Sequence, residues 1–472
     1  MVETRISGIW NIPCLKPIKV KGDLFLDPLK GIINLVVYSS ESLGLFNEFD
    51  NITGKTAYGS NKTLYKCYVV KEIMHMGSKI KYETFINAKY FFDGVRFKSK
   101  NKTLFHEVIF RFSNLDEWAF LEGFKLNSVK NCDFSLIYKR PKQIECKVDD
   151  ETILTLYCSL YSPLFLIVDK EIKVAQKVYF SVKHIKPKPL EKSLYIIRAL
   201  MDFVSLCIGE AVSLIEIYGL NPKHCQIYNN KKDKIYREIP IYTIDQTDEN
   251  YKTIDPRMVL LNLQEIRKIF EFYIKTWLVK RELLKPVIDL YLNTLNYEKM
   301  SPELYFLCLV QALESYHRRK RKNYVIEDEE HKARIISIID SISEEFKVWL
   351  KSKLDFSNEP SLRERLDELT HDGNDYWVFF NGNKERQKFM DNVRNTRNYL
   401  THYDKKLENK ALKGEELNIT CHYLKAMVEY YLLKEIGLPA EYARKKIVDH
   451  TNRIRNFSHI KEIVRRGKIS KG

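Results

Sequence analysis

The sequence has little glycine or proline, 17 and 14 residues among 472, which excludes collagen-like repeats and low-complexity chains. Its nine cysteines are scattered without one CxxC pair, so they signal neither a disulfide framework nor a cysteine-built zinc site. An odd cysteine count suits free thiols in a reducing cytosol. Long apolar runs are also missing. The most apolar window, Leu154 to Val168, is interrupted by Ser159, Ser162 and Pro163 and falls short of the roughly 18 residues a membrane helix needs. Met1 to Arg5 shows no basic segment leading into an apolar one, the pattern of a secretory signal. A soluble, cytoplasmic protein without a membrane partner is expected.

Familiar catalytic signatures are absent too: there is no HExxH, GxSxG or GxGxxG. Gly54-Lys55-Thr56 ends like a phosphate-binding loop, but Phe49 stands where the first loop glycine is required. Without that turn the backbone amides cannot wrap a phosphate, so nucleotide binding there is rejected.

What the chain does have is apolar mass and positive charge. Hydrophobic residues make up 44% and aromatics 12%, ample for large cores, so a disordered chain is excluded. Lys and Arg exceed Asp and Glu by 78 to 62, a surplus of +16. That points to a polyanionic partner, nucleic acid ahead of anionic membrane. Half of the surplus lies in Arg444 to Gly472, where ten basic residues face Asp449 and Glu462. Arg318-Arg319-Lys320-Arg321-Lys322 forms a second basic block and a candidate RNA contact, with Glu327 to Glu330 close behind it.

Periodicity divides the chain. Ile32–Ser39, Thr63–Val70, Lys81–Phe92, His106–Phe112, Phe134–Lys139, Thr152–Ser159, Pro163–Val168 and Val178–Val182 read as strands, rich in Val, Ile, Tyr and Phe. Their spacing predicts an antiparallel sandwich or a distorted barrel. Lys186-Pro187-Lys188-Pro189 breaks the pattern, Leu190 to Ile208 has helical spacing, and Asn229-Asn230 punctuates a hairpin from Cys225 to Thr243. From Asp255-Pro256 onward the period is helical, through Val259 to Trp277, from Ser301-Pro302-Glu303, and over Ile335–Leu350, Leu362–Leu369, Lys384–Tyr399 and Glu415–Leu433. The expected class is α+β: a β-rich, sandwich-like domain over 1–250, a helical region over 251–440 and a basic tail over 441–472.

One metal-nuclease pattern is present. Asp133, Glu145 and Lys147 fit an Asp…Glu-x-Lys arrangement if Phe134–Lys139 and Gln143–Lys147 form a hairpin, with Mg²⁺ held by the carboxylates. Glu-x-Lys is common in so charged a chain and recurs at Glu171-Ile172-Lys173, so no metal or cofactor is expected.

Arg397-Asn398-Tyr399-Leu400-Thr401-His402 carries the strongest chemistry. Metal-free RNA cleavage needs a group near neutral pKa to take the 2′-hydroxyl proton and a cation to stabilise the phosphorane. Spacing alone does not establish it. Composition gives about 1.6 chance matches to Arg-x(4–6)-His, and four occur, at Arg365/His371, Arg397/His402, Arg444/His450 and Arg453/His459. The second is set apart by Asn398 and by its place at the end of a helix.

That stretch, preceded by a helix over Leu304 to Tyr316 containing Gln311-Ala312-Leu313-Glu314, resembles a HEPN domain. Gly8-Ile9-Trp10 and Gly22-Asp23-Leu24 resemble the start of the N-terminal domain of the ApeA-like group of bacterial anti-phage proteins. The resemblance implies a HEPN bundle within about 300–440 that acts as a metal-independent endoribonuclease. RNA, with tRNA one candidate, would be its substrate, cleavage would leave a 2′,3′-cyclic phosphate, and a phage-derived trigger would act through the N-terminal domain. It also implies a homodimer or higher homo-oligomer. Arg397 would hold the scissile phosphate, His402 would move the proton, Asn398 would orient, and Glu314 would support. The alternative is a non-catalytic bundle that binds RNA or protein. On a continuous helix Arg397 and His402 lie about 140° apart, so convergence requires the helix to end or change phase near Leu400.

Overall fold

Glycine and tryptophan set the start of the β-rich unit. The computed structural model describes residues 4–14, 17–78, 80–99, 103–128, 134–161, 174–228, 233–247, 250–295, 300–371 and 379–453. Asp133, the strand expected over Pro163–Val168, the Asn229-Asn230 turn and the basic tail beyond Arg453 lie outside them. Two compact units emerge, one of Met1–Ile208 with Val212–Lys275, the other of Gly209–Ala211 with Thr276–Gly472.

In the first unit, β1 (Thr4–Ile12), β2 (Ile18–Asp27), β3 (Ile32–Ser39), β4 (Glu48–Thr56), β5 (Asn61–His75) and β6 (Lys81–Asp93) form an antiparallel sheet in the order β6-β3-β2-β1-β4-β5. Pairing of β5 back onto β6 closes the sheet, so of the two arrangements expected this part is a barrel. Closure removes the exposed edges of an open sheet. Trp10, 1% exposed, sits in the barrel core with Leu24, Leu35, Ile52, Leu64 and Ile86. Its indole Nε1 donates to the Gly22 carbonyl at 3.1 Å. A Cβ on Gly54 would stand 2.5 Å from the Trp10 ring, so the glycine is what admits the indole. Gly54-Lys55-Thr56 is accordingly strand, not a phosphate loop.

A second run of strands continues from β6. These are β7 (Leu104–Phe112), β10 (Ile144–Asp149), β11 (Thr152–Tyr161), β12 (Ala175–Pro189), β13 (Leu214–Tyr228) and β14 (Asp233–Thr243), in the order β10-β11-β12-β7-β13-β14-β6. β12 ends at Pro189, where the expected break falls, while Pro187 is still within the strand. A register shift between Lys183 and Lys188 takes up Pro187, and Lys188 and Pro189 pair with Phe105 and Leu104. The short helix α1 (Leu115–Ala119) buries Trp118, and α2 (Leu190–Ile208) covers β7 and β12. A separate ribbon joins β8 (Phe124–Ser128) to β9 (Phe134–Tyr138), while β10 pairs with β11. The hairpin expected between Phe134–Lys139 and Gln143–Lys147 therefore does not form.

Asp255 caps only a short 3-10 turn, and the helix expected after it starts later. Asn262 and Glu265 form a capping box at α3 (Leu263–Ile266), followed by α4 (Phe270–Leu283). The second unit is helical: α5 (Lys285–Thr294), α6 (Pro302–Lys320), α7 (Asp328–Asp340), α8 (Glu344–Leu354), α9 (Leu362–Thr370), α10 (Asn383–His402), α11 (Gly414–Glu435) and a further helix over 440–453. The stretch expected as one helix over Ile335–Leu350 is split at Ser341-Ile342-Ser343. Serines there favour a cap over an interior position. Among the described residues, no helix is long and apolar enough to cross a membrane.

Candidate active site

Two helices build the site. Ser301 caps α6 by accepting from the Leu304 amide at 3.3 Å, and Pro302 occupies the first turn, where no amide is required. The apolar stripe of α6, including Phe306, Leu309, Val310 and Leu313, is buried. Helix α10 buries Arg386, Phe389, Met390, Val393 and Thr396 at helical spacing, which leaves Arg397 at the edge of that face.

There the Arg397 guanidinium meets α6. Its Nη2 donates to both Glu314 carboxylate oxygens, at 3.2 and 3.4 Å, and its Nη1 donates to Asn398 Oδ1 at 3.0 Å. The Glu314 side chain is 12% exposed and that of Arg397 32%, so the pair is neither fully solvated nor sealed. Arg397 Nε makes no hydrogen bond among the described residues. Leu307, Cys308, Gln311, Glu314, Arg397 and Thr401 line a cavity of about 310 Å³. An arginine held along one edge, with donors left on the other, suits a phosphate or other oxyanion.

His402 is placed differently. Helix α10 runs without a break through Leu400 to His402, and Tyr403 ends it in the left-handed region at φ 51°. Thr401 does not disturb the helix: its hydroxyl donates to the Arg397 carbonyl at 2.7 Å. Asp404 caps the turn that follows, accepting from the Lys406 amide at 3.0 Å. Arg397 and His402 thus leave one regular helix about 140° apart and about 7.5 Å along its axis. His402 is exposed, and its ring has no partner among the described residues.

The basic block after Glu314 is largely engaged by carboxylates. Arg318 pairs with Glu359 at 2.5 Å, Lys320 with Glu435 at 3.0 Å and Lys322 with Glu327 at 3.4 Å. Arg319 bonds back to the Ser315 carbonyl, and both Arg319 and Arg321 are exposed. Acid within and beyond the nearby acidic run therefore offsets much of this charge.

Beneath that block lies a cluster that local spacing does not reveal. His317, fully buried, has Nδ1 at 3.0 Å from Arg365 Nη1 and Nε2 at 2.9 Å from Glu368. Arginine donates only, so Nδ1 must accept and Nε2 must donate to the carboxylate. The ring is therefore neutral, with its proton on Nε2. Burial pushes its pKa below the ordinary histidine value, against the opposing hydrogen bond to Glu368. Arg365, 2% exposed, also donates to Glu359 at 3.2 Å. The sequence offers one hint, that His317 follows Glu314 by three residues and so shares its side of α6.

Of the metal-nuclease pattern, Asp133 lies outside the described residues. Glu145 and Lys147 lie on β10 opposite Thr155 and Ile153, and the Lys147 amide donates to Glu271 at 3.2 Å. Among the described residues, no group of three or more His, Cys, Asp or Glu could hold a metal ion.

Comparison with known families matches both units. Residues 5–277 match the family described as ApeA N-terminal domain 1, and residues 307–442 match the one described as Apea-like HEPN. No curated protein and no solved structure matches the chain.

Proposed function

We propose an activity from one premise: the chain belongs to the ApeA-like family of HEPN proteins. Its role is metal-independent RNA cleavage in anti-phage defence, in the cytoplasm, with the N-terminal unit responding to a phage-derived trigger. The observation that carries this reading is the anchored arginine, fixed by Glu314 and Asn398 in the lining of a cavity with its Nε edge unbonded. That edge would bind a non-bridging oxygen of the scissile phosphate and stabilise the charge gained in the phosphorane. His402 would take the 2′-hydroxyl proton as that oxygen attacks phosphorus. The 5′-oxygen then leaves and takes up the proton that His402 accepted, giving a 2′,3′-cyclic phosphate and a 5′-hydroxyl. Glu314 would position Arg397 and Asn398 would orient it. No step calls for a metal. Because one regular helix directs Arg397 and His402 apart, a homodimer or higher homo-oligomer would complete the site, with His402 from one copy serving Arg397 of another. Arg319 and Arg321 would hold flanking RNA, tRNA being one candidate substrate.

The test is separate replacement, Arg397→Ala and His402→Ala, read by cleavage of cellular RNA and mapping of the new ends in the presence of EDTA. Wild type should cleave and leave cyclic phosphate ends, and neither variant should. Cleavage retained by both variants removes the assignment. A second reading, a HEPN bundle that binds RNA without cutting it, draws support from the unbroken helix through His402. It predicts salt-dependent RNA binding with the RNA recovered intact.

A further inference from the structure

Between the two helices that build the candidate active site, the chain makes an excursion through α7 and α8. These helices touch each other, yet neither contains a buried residue. Large apolar side chains are nonetheless plentiful on them. Ile336, Phe346, Val348 and Trp349 are all exposed, Val348 by 82%, Trp349 by 60% and Phe346 by 51%. Apolar side chains grouped in this way on a protein surface mark an interaction site.

Helix α8 has two distinct sides. Lys347, Leu350 and Leu354, three and four residues apart, form its half-buried side. The other side centres on Trp349. Glu345 lies four residues before Trp349 and Lys353 four after, so both share its side, each about 6 Å away along the axis in opposite directions. Phe346 and Ser352, three residues before and after, flank it. All five are exposed.

The charges on that side are unused. Glu344 and Lys347 pair with each other at 2.5 Å, but the side chains of Glu345 and Lys353 make no hydrogen bond or ion pair among the described residues. The Ser352 hydroxyl donates to the Trp349 carbonyl at 2.7 Å, so covering it would leave its donor satisfied. The stripe thus reads anion, aromatic pair, small residue, cation. A polyanion would meet Lys353 and be repelled by Glu345, and a polycation the reverse. A second copy of the same stripe answers both charges.

We propose that this side of α8 packs antiparallel against α8 of a second copy of the chain, about a two-fold axis at Trp349. Such an axis sets each residue after Trp349 against the one equally far before it in the other copy. Glu345 of each copy then meets Lys353 of the other, and Phe346 meets the small Ser352. The two Trp349 rings meet at the centre, where aromatic anchors contribute most. A parallel pairing would set Glu345 against Glu345 and Lys353 against Lys353, and like charge disfavours it. With 11 residues, α8 spans only about 16 Å, so the contact is small and its affinity micromolar. This contact is separate from any pairing that brings His402 of one copy to Arg397 of another. Helix α8 carries neither residue, and self-association is observed without RNA cleavage.

The experiment is analytical ultracentrifugation of the full-length protein, freed of nucleic acid, from about 1 to 200 µM. The wild type should gain mass with concentration through a step that Trp349→Ser weakens at least about tenfold, whatever assembly remains beneath it. Glu345→Lys and Lys353→Glu should each weaken that step about tenfold, because two attractive pairs become two repulsive ones. An equimolar mixture of these two variants should associate within about threefold of wild type, since every altered charge then meets its opposite on the other chain. The mixture separates a lost contact from lost folding, and thermal melts of each variant check the same point. A wild type that shows no association step over this range overturns the proposal and leaves the face to a different partner. A step indifferent to Trp349→Ser overturns it too, as does a mixture that associates no better than either variant alone.

Discussion

Arg397 and Glu314, 83 residues apart in the chain, meet side by side where α10 crosses α6, with Arg397 Nη2 3.2 Å from one carboxylate oxygen and 3.4 Å from the other. Replacing Glu314 with Gln keeps the shape and removes the charge that fixes the guanidinium. If Arg397 acts on the scissile phosphate, kcat should fall about 10- to 100-fold while KM changes little, because the loss lies in transition-state alignment. Steady-state cleavage of an RNA oligonucleotide reads both constants. Unchanged kcat would remove Glu314 from the mechanism.

His317 makes stability depend on pH. Its folded-state pKa lies below the unfolded value, so between the two the unfolded chain binds more protons and stability rises with pH. Stability contributed by the neutral ring is present above about pH 6.5 and is lost as pH falls from there towards the folded pKa. Thermal melts of wild type and His317→Gln from pH 7.5 to 5 should show a smaller acid-side decline in the variant. Parallel declines would show that other histidines carry the effect.

Arg365 joins the buried ring of His317 to Glu359. Arg365→Met removes the donor to Nδ1 and should destabilise the protein by about 2–3 kcal/mol. That is under the cost of breaking a sealed ion pair, because the Glu359 side chain is 25% exposed and solvent screens it. Arg365→Lys should recover little, since an ammonium cannot span both partners. Denaturant unfolding measures both variants.

In the barrel, Gly54→Ala should cost about 1–3 kcal/mol, because the added methyl meets the Trp10 ring at 2.5 Å. Combining it with Trp10→Leu should cost less than the sum of the two single changes, since removal of the indole opens the space. Additive losses would mean the two sites do not share that volume.

Much of the fold was legible from periodicity. Helix α2 spans the expected Leu190–Ile208, and β3 the expected Ile32–Ser39, because each is a continuous run with one clear period. The strands β1, β2 and β4 give weaker alternation. Gly8, Gly22 and Gly54 sit where a side chain would mark the pattern; Gly54 is needed for packing against Trp10, and Gly22 for the close approach of Val36 and Val37. The later start at Asn262 was hidden because Asp255-Pro256 is itself a valid cap and does cap a short turn.

By itself, the sequence determined the change from strand to helix period, the surplus of positive charge, and the helix that carries Arg397, Asn398 and His402. Local spacing and composition suffice for these. Only the tertiary structure decided that the sheet closes into a barrel, that Arg397 is anchored by Glu314, and that His317 is locked between Arg365 and Glu368. It also decided that the basic block is largely paired. The His317 contacts span 48 and 51 residues, and Lys320 reaches Glu435 across 115. No local period encodes such separations. They arise when helices pack, and burial then makes each unsatisfied charge or donor too costly to leave without a partner.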